Sequence, residues 1–167
     1  MIFSLLKACS ETCETCHPDH YGCISCASGR VLHSGNCVFK CPTGYYADNS
    51  QRCRVCHDSC SSCIGPLSTQ CTSCSFPLAL HLGQCLSACG EGFYQDHTTC
   101  KGCYSSCREC VGPEYLHCTR CMKAEEGLQP EMYLEGIPVG ICLPQCKTQF
   151  YLDYDGVCKG EQRDIPR

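Results

Sequence analysis

The sequence predicts a small disulfide-rich fold, a linear array of three cysteine modules with short β-hairpins and little helix. Twenty-four of its 167 residues are cysteine, a proportion typical of disulfide scaffolds. The cysteines also repeat with a fixed step of 47 residues, from Cys9 to Cys56 and from Cys56 to Cys103. A fixed period of this size is typical of an array of similar units stacked end to end.

Each module contains eight cysteines with nearly the same spacing. The first module holds Cys9, Cys13, Cys16, Cys23, Cys26, Cys37, Cys41 and Cys53. The second module holds Cys56, Cys60, Cys63, Cys71, Cys74, Cys85, Cys89 and Cys100. The third module holds Cys103, Cys107, Cys110, Cys118, Cys121, Cys142, Cys146 and Cys158.

The module boundaries follow from this spacing. We predict repeats at residues 9–55, 56–102 and 103–158, with a tail at 159–167. Residues 1–8 carry an apolar run that is shorter than a signal peptide requires, and we interpret them as an incomplete leader. No apolar run approaches the length of a membrane span.

Size, cysteine content and charge limit the source of stability, the compartment and the ligands of such modules. A unit of 47 residues is too small to build a large apolar core, so disulfides must supply much of its stability. Disulfides persist only in oxidising compartments, which predicts secretion. The net charge is −4 and no basic stripe is present, so we expect neither nucleic-acid binding nor heparin binding.

Two local patterns recur between the cysteines. Residues 31–38 and 80–86 place apolar arms around a glycine-containing turn, and this pattern predicts small hairpins. Aromatic patches follow at residues 44–48, 92–96 and 150–153. We predict that these aromatics form each module's small core; the alternative is a platform for a ligand.

The third module departs from the pattern, with 20 residues between Cys121 and Cys142 where the other modules have ten. One interpretation is a longer hairpin. The other is a contact loop, because long loops in compact domains are often functional. If the loop binds a partner, the candidate binding residues are Met132, Tyr133, Leu134 and Ile137.

Metal binding is the main alternative to disulfide bonding for these cysteines. Eight C-x2-C pairs occur in the sequence, and zinc sites combine two such pairs. Here the pairs alternate with C-x3-C spacings, so we favour disulfides and predict no metal and no cofactor. No hydrolase motif, metalloprotease motif or phosphate loop is present, so we predict that the chain is not an enzyme.

The complete cysteine pattern resembles the furin-like repeat, which is also found in the cysteine-rich regions of growth-factor receptors. Spacing alone leaves roughly a hundred pairings open for eight cysteines. The resemblance implies that the first cysteine pairs with the third, the second with the fourth, the fifth with the sixth and the seventh with the eighth. In module two this gives Cys56–Cys63, Cys60–Cys71, Cys74–Cys85 and Cys89–Cys100, and modules one and three follow the same order.

A closer resemblance is to the furin-like repeats of the Fraser-syndrome matrix protein family, the Fras family. It is carried by residues 44–48 and 52–57, by the Cys-x-Gly-Pro corners at Cys63 and Cys110, and by residues 125–129 and 136–138. It implies a non-catalytic spacer or interaction segment in basement membranes, with Frem-type matrix proteins as partners. Two alternatives share the repeat: the cysteine-rich tail of a proprotein convertase and an R-spondin-like secreted ligand.

Overall fold

A computed structural model describes residues 9–19 and 22–160 of the chain. The predicted leader lies outside the described residues, as do residues 161–167 of the predicted tail. The described part contains short strands and no helix. The first ten strands are β1 (Cys13–Cys16), β2 (Cys23–Cys26), β3 (Val31–His33), β4 (Asn36–Val38), β5 (Tyr45–Ala47), β6 (Cys53–Val55), β7 (Ser62–Cys63), β8 (Cys71–Ser73), β9 (Ala79–His81) and β10 (Gln84–Leu86). The remaining eight are β11 (Phe93–Asp96), β12 (Thr99–Gly102), β13 (Cys107–Cys110), β14 (Cys118–Cys121), β15 (Gly127–Leu134), β16 (Ile137–Leu143), β17 (Phe150–Leu152) and β18 (Cys158–Gly160).

The chain divides into two compact units. The first unit extends to Ser75 and includes Leu82–Cys85. The second unit contains Phe76–His81 and the chain from Leu86 onward. The three repeat boundaries deduced from the cysteine spacing remain predictions.

The first unit is built from antiparallel two-stranded ribbons. Strand β1 pairs with β2, β3 with β4, β5 with β6 and β7 with β8. Its core is a cluster of half-cystines around one aliphatic side chain, Leu32, which is buried with Cys13, Cys23 and Cys37. Disulfide sulfur therefore takes the place that aliphatic side chains hold in a larger domain.

The second unit contains larger sheets. Strands β13, β14, β16 and β15 lie side by side in that order, and β17 pairs with β18. Strand β9 is joined in parallel to β12, which also pairs with β11. The main core cluster of this unit consists of Cys107, Cys118, Leu128 and Val157.

The expected hairpins are confirmed, and the backbone at their tips shows why they form. Strands β3 and β4 are separated by Ser34 and Gly35, which both have positive φ. Leu82 and Gly83 occupy the same place between β9 and β10. Two successive residues with positive φ are the signature of the tight turn that matches the twist of a hairpin.

The prediction that the recurring aromatics form each module's core was wrong. Tyr45, Phe93 and Phe150 are 38 %, 39 % and 41 % exposed, because the half-cystines already fill the interior of these thin ribbons. In the first two modules the rings pack edge-on against a histidine instead. His33 lies 4.7 Å from Tyr45 and His81 lies 4.4 Å from Phe93, measured between ring centroids.

The two residues that separate the last cysteine of one module from the first cysteine of the next are part of regular strands. Arg54 and Val55 lie in β6, where they pair with Tyr46 and Tyr45. Lys101 and Gly102 lie in β12 and pair with β11. The ladder continues into the next cysteine, since the amide of Cys56 donates to the carbonyl of Gly44 at 2.8 Å. Each junction is therefore held by backbone hydrogen bonds within its own unit.

Candidate contact surface

All 24 cysteines are joined in twelve disulfides, and none is free. Within each module the first cysteine is bonded to the third, the second to the fourth, the fifth to the sixth and the seventh to the eighth. The first module contains Cys9–Cys16, Cys13–Cys23, Cys26–Cys37 and Cys41–Cys53. The second contains Cys56–Cys63, Cys60–Cys71, Cys74–Cys85 and Cys89–Cys100. The third contains Cys103–Cys110, Cys107–Cys118, Cys121–Cys142 and Cys146–Cys158.

One group of sulfurs has the proximity of a metal site. The Sγ atoms of Cys13, Cys23 and Cys37 lie within 4.8 Å of one another. All three sulfurs belong to disulfides, whereas zinc is bound by thiolates. The cluster is therefore part of the core and offers no thiolate ligand in this form.

The long loop of module three forms a hairpin, as one of its two interpretations expected. Strands β15 and β16 pair antiparallel from Gly127–Leu143 to Leu134–Ile137. Glu135 and Gly136, both with positive φ, close the turn. The additional residues therefore lengthen the tip of a hairpin whose base has counterparts in the other modules.

The base of this hairpin is tightly held. Leu128, Gln129 and Val139 are buried. The backbone amide of Lys147 donates to Oε1 of Gln129 at 3.3 Å, and the Lys147 ammonium donates to Glu131 at 2.8 Å. Gly140 approaches its partner strand so closely that a Cβ atom there would lie 1.9 Å from the carbonyl oxygen of Gln129.

The four predicted binding residues come together at the exposed end of the hairpin. Met132, Tyr133, Leu134 and Ile137 are 48 %, 66 %, 44 % and 54 % exposed. Leu134 pairs with Ile137 and Met132 pairs with Val139, and directly opposed residues project from the same face of a sheet. Met132, Leu134 and Ile137 therefore form one exposed apolar stripe that continues outward from buried Val139. Tyr133 projects from the opposite face.

A recurring ion pair was missed by sequence reasoning. Asp48 binds Arg54 at 2.9 Å, Asp96 binds Lys101, and Asp153 binds Lys159. Each pair spans the last cysteine of its module. A repeated sequence pattern could have predicted these ion pairs. Every module has an aspartate four or five residues before its last cysteine and a basic residue directly after that cysteine.

These ion pairs shift the pKa of each aspartate in the same direction. The side-chain hydrogen bond from Arg54 lowers the pKa of Asp48, and the bonds from Lys101 and Lys159 lower the pKa of Asp96 and Asp153. The pKa of each basic partner is raised by the same contact. The three carboxylates therefore stay ionised at neutral pH, and each ion pair joins the two arms of the last hairpin of its module.

Known proteins with similar sequences include extracellular matrix proteins. No protein-family model matches the chain. The chain is 63 % identical over 146 residues, 87 % of its length, to the human extracellular matrix organizing protein FRAS1. The identity to the mouse protein of the same name is 61 % over 146 residues. The chain spans only 4 % of the length of each of these curated relatives.

A more distant similarity extends to proteases. Human proprotein convertase subtilisin/kexin type 6 is 42 % identical over 62 residues, 35 % of the chain. Furin-like protease 2 of Drosophila melanogaster is 39 % identical over 57 residues. The predicted resemblance to furin-like repeats, and to those of the Fras family in particular, is confirmed.

Among the residues that the structure describes, no helix is long and apolar enough to cross a membrane.

Proposed function

We propose that this chain is a non-catalytic segment of a secreted basement-membrane matrix protein, in which the cysteine modules act as a spacer and the long hairpin acts as a contact site. The observation that carries the proposal is the 63 % identity to a matrix organizing protein across 87 % of the chain. An oxidising extracellular setting also suits a fold whose core consists largely of disulfides.

Several side chains of types that carry out acid–base chemistry have structural contacts in this chain. Asp48, Asp96 and Asp153 are held in ion pairs that lower their pKa, whereas a general acid needs a pKa near the working pH. His33 and His81 pack against aromatic rings. This arrangement supports a binding or spacing role over catalysis.

The hairpin of β15 and β16 is well suited to a contact role. Its exposed apolar stripe stands on a base fixed by Lys147 and by the buried residues Gln129 and Val139. A preorganised strand pair loses little conformational entropy on binding, which favours affinity. We propose that Met132, Leu134 and Ile137 contact a matrix protein of the Frem type.

The test is a binding measurement with a matched control. We expect replacement of Met132, Leu134 and Ile137 by serine to weaken binding of the secreted chain to an immobilised Frem-type protein by at least about tenfold, because buried apolar anchors dominate interfaces. The control is Leu82→Ser, which removes an 88 % exposed side chain from the corresponding hairpin tip of module two. Equal binding by the two variants would leave the hairpin without a contact role.

A proprotein convertase tail is the second candidate, favoured by the 42 % identity to the type 6 enzyme. That identity covers 35 % of the chain, whereas the similarity to the matrix protein covers 87 %. Sequencing of the full transcript separates the two candidates. A subtilisin-type catalytic domain encoded upstream would support the convertase, and its absence from a complete reading frame would support the matrix protein.

A further inference from the structure

Tyr154 occupies an unusual position in the third module. It lies in the turn between β17 and β18 and is 97 % exposed. The next most exposed tyrosine among the described residues, Tyr133, is 66 % exposed and lies in a strand. The tip of a short hairpin turn is accessible to a modifying enzyme without any unfolding of the chain.

Carboxylates flank this tyrosine on both sides. Asp153 accepts a hydrogen bond from the amide of Tyr154 at 2.8 Å, and Asp155 accepts one from the amide of Val157 at 3.1 Å. Lys159 binds both carboxylates, and its ammonium lies 5.6 Å from the centroid of the Tyr154 ring. Two negative charges and one positive charge leave the turn with a net negative charge.

The corresponding turns of the other modules keep the aspartate but lack the tyrosine. Asn49 follows Asp48 in module one, and His97 follows Asp96 in module two. Among the last turns of the three modules, that of module three alone therefore places a phenol beside the aspartate.

We propose that Tyr154 is a site of tyrosine O-sulfation. The inference rests on the proposed extracellular function, because this modification takes place along the secretory pathway. An enzyme that handles an anionic sulfate donor has a positively charged cleft, and carboxylates beside the acceptor tyrosine favour docking into it. Tyr154 combines two adjacent carboxylates with a fully accessible hydroxyl group.

The reaction is a sulfuryl transfer from an adenosine phosphosulfate. The phenolic oxygen of Tyr154 forms a new O–S bond, and the S–O bond to the nucleotide phosphate breaks with its electron pair remaining on the phosphate. The phenolic proton passes to a base of the sulfotransferase. The product carries an additional negative charge, which increases the attraction of this turn for a basic partner.

The experiment uses the whole chain, secreted from cultured cells behind a heterologous leader. We expect peptide mass spectrometry to find one sulfate on the peptide containing Tyr154. It should be lost in Tyr154→Phe, lost when chlorate blocks synthesis of the sulfate donor, and reduced severalfold in Asp155→Asn. Tyr133 serves as an internal control and should remain unmodified. A modification that resists chlorate but is removed by phosphatase would be phosphorylation and would overturn the proposal.

A second arm separates this proposal from the proposed function. The purified, fully oxidised chain is incubated with a tyrosylprotein sulfotransferase and labelled donor. Labelling of Tyr154 but not of Tyr133 is expected. A secreted, oxidised chain that remains unlabelled in both arms would overturn sulfation alone. Retention of the chain in the cell with mixed disulfides would instead contradict the extracellular function.

Discussion

The backbone amide of Leu128 donates a hydrogen bond to the carbonyl oxygen of Gly156 at 2.9 Å. The same contact joins Leu32 to Gln51 at 2.7 Å and Leu80 to Thr98 at 2.8 Å, and the three leucines are spaced 48 residues apart in the sequence. In each module the middle hairpin thus lies parallel to the segment that carries the last cysteine, with Leu32 opposite Arg52, Leu80 opposite Thr99 and Leu128 opposite Val157. These hydrogen bonds join a strand of the middle hairpin to the last hairpin of each module.

Leu128→Ala should therefore destabilise module three. Leu128 is almost fully buried in its core, and truncation of a buried leucine typically costs about 2–5 kcal/mol. Chemical unfolding with the disulfides intact measures the loss. The control is Leu82→Ala at an exposed hairpin tip, which should change stability by no more than about 0.5 kcal/mol. Equal effects of the two substitutions would contradict the core role of Leu128.

The ion pairs across the last cysteines predict loss of stability in acid. The folded state lowers the pKa of Asp48, Asp96 and Asp153, so their contribution is complete above the unfolded pKa, about 3.9. It is lost as the pH falls through the lower folded value, because the unfolded chain then takes up protons more readily. Urea unfolding at a series of pH values below 5 measures this decline. Asp153→Asn should make it shallower, and an unchanged slope would contradict the assignment.

Local features were the ones that the sequence predicted well. The turns at Gly35 and Gly83 could be located because glycine with positive φ is a short-range requirement of a tight hairpin. The cysteine period likewise repeats a local unit. The sequence left two interpretations of the long loop open, since its pairing depends on Gly140 lying against Gln129, and the two residues are separated along the chain by the whole tip of the hairpin.

The burial of individual side chains was harder to predict, because it depends on which residues fill the interior. The exposure of Tyr45 and Phe93 could not be inferred from their recurrence, because half-cystines compete with aromatic rings for the same small interior. Burial of Gln129 depends on a hydrogen bond from Lys147, 18 residues away in the chain. The binding role of Met132 and its neighbours stays a prediction, as their exposure permits contact without identifying a partner.

Gly140→Ala should destabilise the long hairpin. A Cβ atom at Gly140 would lie 1.9 Å from the carbonyl oxygen of Gln129 and 3.0 Å from the amide of Glu131. Backbone atoms cannot move aside as a flexible side chain can, so we expect a loss of about 1–3 kcal/mol or more. Gly102→Ala is the matched control, because no atom lies within 4 Å of its added Cβ. Thermal unfolding should show a clearly lower midpoint for Gly140→Ala alone.

The pairing of the cysteines yields the final prediction. Non-reducing peptide mapping of secreted protein should recover twelve bonds within the modules, including Cys60–Cys71 and the long-loop bond Cys121–Cys142. Replacing Cys60 and Cys71 together by serine should cost about 2–5 kcal/mol, typical for loss of a native disulfide in a small secreted domain. In a repeat array the damage passes mainly to neighbouring units, so the bonds of module three should form normally in that variant. Zinc bound in stoichiometric amounts, together with 24 titratable thiols, would instead show that the C-x2-C pairs hold metal. The mapping therefore distinguishes the two chemistries that the cysteine spacing by itself leaves open.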